Sequence, residues 1–140
     1  MQEDIDLDIV NGLSKGMVKH LDIVFTDLDD TGLTARMPVV EETQQPFGIL
    51  HGGATAALAE TVGSFASYLL VRHDKKTSVG MEINAQHLRS VRNGFVHAKA
   101  LPVHLGRKIH VWDIRVTDDS ERLVAICKLT NMIIDTSENG

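Results

Sequence analysis

The segment Gln45-Pro46-Phe47-Gly48-Ile49-Leu50-His51-Gly52-Gly53 runs directly into a small-residue stretch, Ala54 to Leu70, in which Glu60 is the only acid. No other charged side chain lies between His51 and Arg72. A carboxylate in apolar surroundings loses hydration, and that loss is normally offset by a partner or by a chemical task. Glu60 is therefore a candidate nucleophile or general base. The plainer alternative is a good helix former facing water. Its helical neighbours Ala56, Ala57, Ser64 and Ser67 weigh against that, because an exposed face of this length normally carries more charge.

His51-Gly52-Gly53 stands where the helix should begin. Helix starts concentrate unpaired N–H groups and the positive end of the macrodipole. Two glycines leave those N–H groups open to a carbonyl oxygen, as an oxyanion hole requires. Paired glycines also make ordinary tight turns, and that reading stands beside the chemical one. Spacing sharpens the choice. Gly52 and Glu60 are eight residues apart, about 12 Å along a helix, whereas one reacting carbonyl needs its donor and its attacking group each within roughly 3 Å. If both act, Gly52 of one subunit faces Glu60 of another across a two-fold axis, and a homodimer carries two composite sites.

Other patterns carry less. None of the seven histidines shows metal-ligand spacing, so no metal is expected. Gly12-Leu13-Ser14-Lys15-Gly16 matches the nucleophile-elbow pattern but lies in a helical stretch with no buried strand before it. Gly48 to Gly53 lacks the Lys-Ser/Thr of a phosphate loop. Cys127, the single cysteine, excludes an internal disulfide and reads as inert core. Trp112 and Phe95 read as sheet packing. Two short basic groups, His87 to Arg92 and His104 to Lys108, are either solvated turn charge or a small patch for the phosphates of a ligand.

The elements that must position these residues follow from periodicity. The chain of 140 residues reads as one domain, 1–140. Ile5, Ile9, Val10, Leu13 and Met17 recur at helical spacing. Leu21, Ile23 and Phe25, then Leu33, Ala35, Met37 and Val39, alternate as a hairpin around Asp29-Asp30-Thr31-Gly32. After the long helix, about Gly53 to Val71, alternation around 79–86 and then 95–103, 109–117 and 123–132 gives four strands, with Asn93-Gly94 as a turn. Consecutive strands with short turns imply an α+β fold, an antiparallel sheet whose apolar face is covered by one long helix. A net charge of −5 without a basic stripe disfavours nucleic acid as a partner. The helix is long enough to span a bilayer, but its central glutamate and small residues argue for burial in protein, with no membrane partner. The acidic N-terminus lacks the basic start of a signal peptide, so a cytoplasmic protein is expected.

Taken together, Gln45 to Gly53, Leu58-Ala59-Glu60-Thr61, Gly80-Met81-Glu82-Ile83-Asn84-Ala85-Gln86-His87 and Pro102-Val103-His104-Leu105-Gly106-Arg107 resemble the hotdog-fold acyl-CoA thioesterases. The closest group is the hydroxybenzoyl-CoA and dihydroxynaphthoyl-CoA hydrolase branch, related to the phenylacetate-pathway thioesterases. The resemblance covers nearly the whole chain. It implies a five- to six-stranded antiparallel sheet wrapped around one long helix, and dimers that pair into homotetramers. It also implies an acyl-CoA substrate with an aromatic or medium-chain acyl group, and no cofactor. Glu60 would be nucleophile or general base, with the Gly52 N–H as oxyanion donor. Gln45 and His51 would orient the thioester or water, and Ser64 would hold Glu60 or the water. His87, Arg89, Ser90 and Arg107 would contact the CoA portion. Attack through a mixed anhydride and activation of water both remain open. So do two other functions, a hotdog dehydratase or hydratase and a non-catalytic acyl-CoA-binding module.

Overall fold

The computed structural model describes residues 6–136. The N-terminal apolar periodicity forms two short helices rather than one, α1 at Leu7–Gly12 and α2 at Met17–His20. Ile5, the first residue of that pattern, lies outside the described residues. The break has a backbone cause. Gly16 sits at φ +63°, which a residue with a Cβ adopts only under strain. The Gly12 to Gly16 motif thus falls across the break, with no strand before it among the described residues. α1 is held by Asn11, whose Nδ2 donates to the Phe25 carbonyl at 3.0 Å while its Oδ1 accepts from the Phe25 N–H at 2.8 Å.

All the expected strands join one six-stranded antiparallel sheet. They are β1 Val24–Leu28, β2 Leu33–Pro38, β3 Lys76–His87, β4 Phe95–Leu105, β5 Ile109–Asp118 and β6 Leu123–Asp135, in the spatial order β1-β2-β4-β5-β6-β3. β1 starts later than alternation from Leu21 implies, because Asp22 at φ +58° interrupts extended backbone. Leu21 and Ile23 are buried nonetheless. In the β1–β2 turn, Asp29 Oδ1 accepts from the N–H groups of Thr31 and Gly32 at 2.8 and 3.0 Å, the side-chain turn expected of Asp. β3 lies at a sheet edge and has no fully buried residue. Val79 and Met81 on it are 41% and 54% exposed.

The long helix α3, Gly52–Val71, lies across the sheet and buries Leu58, Ala59, Val62, Ala66 and Leu69. Burying each large side chain of this kind stabilises by about 1.5–3 kcal/mol. By length and composition residues 52–74 could cross a membrane, yet half of the most apolar window is buried inside the protein. Gly63 sets the approach: a Cβ there would stand 2.5 Å from Leu129 Cδ2 and 3.2 Å from Ile114 Cδ1. Trp112 and Cys127 are core, as expected, and burial pushes the Cys127 thiol up to about 11. Phe95 is half-buried under the Arg36 guanidinium, 4.6 Å from the ring centre.

Where α3 meets β5 and β6, the core is polar. Ser67, unlike its helical neighbour Glu60, is fully buried. Its Oγ receives N–H bonds from Trp112 Nε1 at 2.7 Å and Asn131 Nδ2 at 2.9 Å. Both acceptor positions of the hydroxyl are thereby filled, so its one O–H points to His110 Nδ1, 2.8 Å away. His110 is therefore neutral with its proton on Nε2. Burial, assisted by the charge of His104, lowers its pKa from the ordinary 6.5. A depressed histidine pKa means the unfolded chain binds the extra proton first. This contribution to stability is complete above pH 6.5 and is lost as pH falls from there through the folded value. Thermal midpoints measured from pH 7.5 to 5 are expected to fall on the acid side. His110→Asn, which keeps an acceptor near the Nδ1 position and does not titrate, should flatten that fall. Ser67→Ala leaves two buried N–H groups unpaired and should cost about 1–3 kcal/mol in denaturant unfolding.

Candidate active site

The loop before α3 is a set of backbone clasps. Gln45 N–H donates to the Ile49 carbonyl at 2.8 Å, Leu50 N–H to Val91 at 2.8 Å and His51 N–H to Thr43 at 2.9 Å. Gly48 makes the reversal at φ +83°. The Gln45 side-chain oxygen accepts from the Phe47 N–H, which leaves the carboxamide N–H groups as the free donors of that side chain. Phe47 itself stands in solvent, 84% exposed.

His51 caps α3. Its Nδ1 accepts from the Gly53 N–H at 2.7 Å, so the proton of a neutral ring sits on Nε2. This corrects the expectation that both glycine N–H groups are open. Among the described residues the Gly53 N–H is occupied within the cap, and the Gly52 N–H is the free donor at the positive end of α3. The ring of His87 packs over Gly52: a Cβ on Gly52 would stand 3.0 Å from its Nε2.

Two cavities divide the candidate residues. The first, about 410 Å³, is lined by Gln45, Gly52, Thr55, His87, Arg89 and Ser90 together with Ile49, Leu50, Leu88 and Val124. The second, about 380 Å³, is lined by Glu60, Thr61 and Ser64 with the apolar side chains of Met17, Val18, Leu21, Ile23, Ala57 and Phe65. A smaller space of about 280 Å³ continues from Ser64 and Phe65 to Leu13, Tyr68, Thr77 and Ser78. Ser64 also accepts a hydrogen bond at its carbonyl from Ser78 Oγ, 2.9 Å away. Gly52 and Glu60 open into different spaces of one chain, as the rise of the helix requires. His51, exposed at the cap, lines neither of them.

Arg107 stands apart from both. It lies in the β4–β5 turn, where neighbouring Ile109 pairs with Met132, whereas His87 pairs with Ala125. Seven residues of β6 separate those positions, about 23 Å at strand spacing. A single chain does not bring Arg107 to His87, Arg89 and Ser90. Thr55 lines the first cavity and was not among the candidates. Its signal was its place three residues after Gly52, on the same helix face. Among the described residues no cluster of His, Cys, Asp or Glu could hold a metal ion.

Comparison with known proteins assigns the family. The thioesterase superfamily model matches residues 47–125. The chain is 46% identical over 131 residues to a 1,4-dihydroxy-2-naphthoyl-CoA hydrolase of Escherichia coli, covering 93% of this chain and 96% of that protein. It is 48% identical over 129 residues to the proofreading thioesterase EntH of Cronobacter sakazakii, covering 91% and 93%. Among solved structures, a thioesterase of Haemophilus influenzae superposes with a TM-score of 0.92 at 43% identity, covering 96% of this chain and 94% of that one. With the six-stranded antiparallel sheet and single long helix already described, these matches show that the chain belongs to the thioesterase superfamily and is a hotdog-fold thioester hydrolase.

Proposed function

We propose that this enzyme hydrolyses an aromatic or medium-chain acyl-CoA to the free acid and CoA, in composite sites formed between two copies of the chain. The observation that carries the reading is the division of Gly52 and Glu60 between separate cavities, 12 Å apart or about that along one helix. Two α3 helices running antiparallel across a two-fold axis would join the first cavity of one subunit to the second cavity of its partner. The exposed Val79 and Met81 on edge strand β3 support such a seam, since an unpaired strand edge favours pairing with another chain. The names of the E. coli and Cronobacter relatives support a thioester substrate, and the first of them an aromatic acyl-CoA.

In this site the thioester carbonyl accepts a hydrogen bond from the Gly52 N–H, which stabilises the charge that develops on oxygen. The carboxylate of Glu60 from the partner either attacks the carbonyl carbon, giving a mixed anhydride that water then cleaves to the free acid and the restored carboxylate, or takes a proton from the water that attacks the carbonyl directly. CoA thiolate leaves toward Gln45, His87, Arg89 and Ser90, whose cavity suits a polar pantetheine arm and phosphates. The acyl group enters the apolar pocket around Ile23 and Phe65, with Ser64 one turn beyond Glu60 to hold the carboxylate or water. We further infer a homotetramer built from two such dimers, and a cytoplasmic enzyme.

A thiol-release screen of aroyl-, phenylacetyl- and fatty acyl-CoA tests the reading. Turnover of aroyl- or medium-chain substrates by a species at least dimeric in light scattering is the expected result. Stoichiometric binding of the whole panel with no thiol released would overturn it, as would full activity in a monomer.

A further inference from the structure

Gly80 is the single glycine of β3, and the Glu60 side chain lies directly on it. A Cβ at Gly80 would collide with Glu60 Oε2, 3.2 Å from Cδ and 3.6 Å from Cγ. Gly80 does not lie in the left-handed backbone region, unlike Gly16, Gly48 and Gly94. Backbone freedom therefore does not explain the residue; the missing side chain does. The strand is also irregular here. Gly80 pairs with Asn131 and Glu82 with Thr130, so Met81 is an extra residue in a β-bulge. Bulges bend a strand and re-aim its neighbours, and they gather beside active sites.

We infer that Gly80 is a positioning residue whose absent side chain makes the space in which the reacting carboxylate of Glu60 rests, on the bulge of β3. The inference rests on the proposed role of Glu60 as nucleophile or general base. The three atoms nearest such a methyl all belong to the side chain of Glu60, a flexible acid that can swing aside at little cost to the fold. The carboxylate is then displaced from the reacting carbon, and a displacement of about 1 Å in a reacting group can cost about 100-fold in rate. Damage to packing would have the opposite signature, a lowered melting midpoint with the surviving enzyme fully active.

The test compares wild type, Gly80→Ala, Glu60→Gln and the double variant on one acyl-CoA that the enzyme turns over. Gly80→Ala is expected to lower kcat about 100-fold, with KM and the thermal midpoint nearly unchanged. The double variant should be no slower than Glu60→Gln alone, because both changes act through one carboxylate. A normal kcat in Gly80→Ala beside an inactive Glu60→Gln overturns the role of Gly80 and leaves that of Glu60 standing. Near-normal turnover in Glu60→Gln removes the role of Glu60 itself, and with it this inference. Strand damage is separated with Glu60→Ala, whose side chain ends at Cβ and so lacks the Cγ, Cδ and Oε2 atoms that lie on Gly80. Adding Gly80→Ala to that variant should alter neither kcat nor melting midpoint, and a further loss in either would overturn the inference.

Discussion

Glu60→Gln is expected to lower kcat by about 10²–10⁴-fold, the span associated with a positioned acid or base, and to leave the protein as stable as before. Gln has nearly the shape and the helix propensity of Glu, so α3 keeps its packing. Among the described residues no side chain is hydrogen-bonded to the Glu60 carboxylate, so the substitution leaves no group stranded. What it removes is a negative charge able to attack a carbonyl or to accept a proton. Stopped turnover with an unchanged melting curve and unchanged oligomer size is the expected pair of observations. Near-normal rates in the variant would remove Glu60 from the chemistry altogether.

Gly52→Pro addresses the other half of the site. Removing a backbone donor is rarely possible without harming a helix, but this position allows it. Gly52 is the first residue of α3, and the residue before it, His51, has φ −72° and ψ 131°. Proline is well tolerated at a first helical position and prefers an extended residue before it. The ring must displace the tip of the His87 side chain, which packs over Gly52. Loss of one oxyanion donor costs about 2.7–4 kcal/mol, or 10²–10³-fold in kcat.

The two variants then test each other. In a composite site, a heterodimer of Glu60→Gln and Gly52→Pro subunits holds one site with both defects and one with neither. Random mixing of equal amounts should restore about a quarter of wild-type activity, half of the dimers each having one sound site of two. If each subunit carried a complete site, mixing would restore nothing. Rates measured before and after subunit exchange decide between them.

Much of this arrangement was legible in the chain. The small-residue run from Gly52 to Val71 could only be a helix laid closely on a sheet. Inward alternation in β2, β4, β5 and β6 matched the buried faces. Spacing alone separated Gly52 from Glu60. What escaped depended on contacts remote in sequence. His51 is an uncommon cap residue, since capping signals rest on Ser, Thr, Asp and Asn, and nothing showed that it would occupy the Gly53 N–H. The interruptions at Gly16 and Asp22 are backbone twists that periodicity does not register. The reach of β3 back to Lys76 comes from its pairing with β6. Arg107 and His87 each stand in a short basic cluster at a strand end, and only the register of β5 and β3 on β6 separates them. The cluster of Ser67, His110 and Asn131 left a trace, polar residues on inward positions beside Trp112 and Leu129, that becomes meaningful once the three elements meet.

The sheet order has a consequence for how the enzyme is made. Among the described residues β3, which lies beneath Glu60, pairs with no strand except β6, which follows every other strand in the sequence. Until β6 has been made, β3 has no strand to pair with, and closing that distant pairing is an intrinsically slow step. Premature termination before residue 123 would therefore release a product with an open, adhesive sheet margin, suited to chaperone capture or degradation rather than to partial activity.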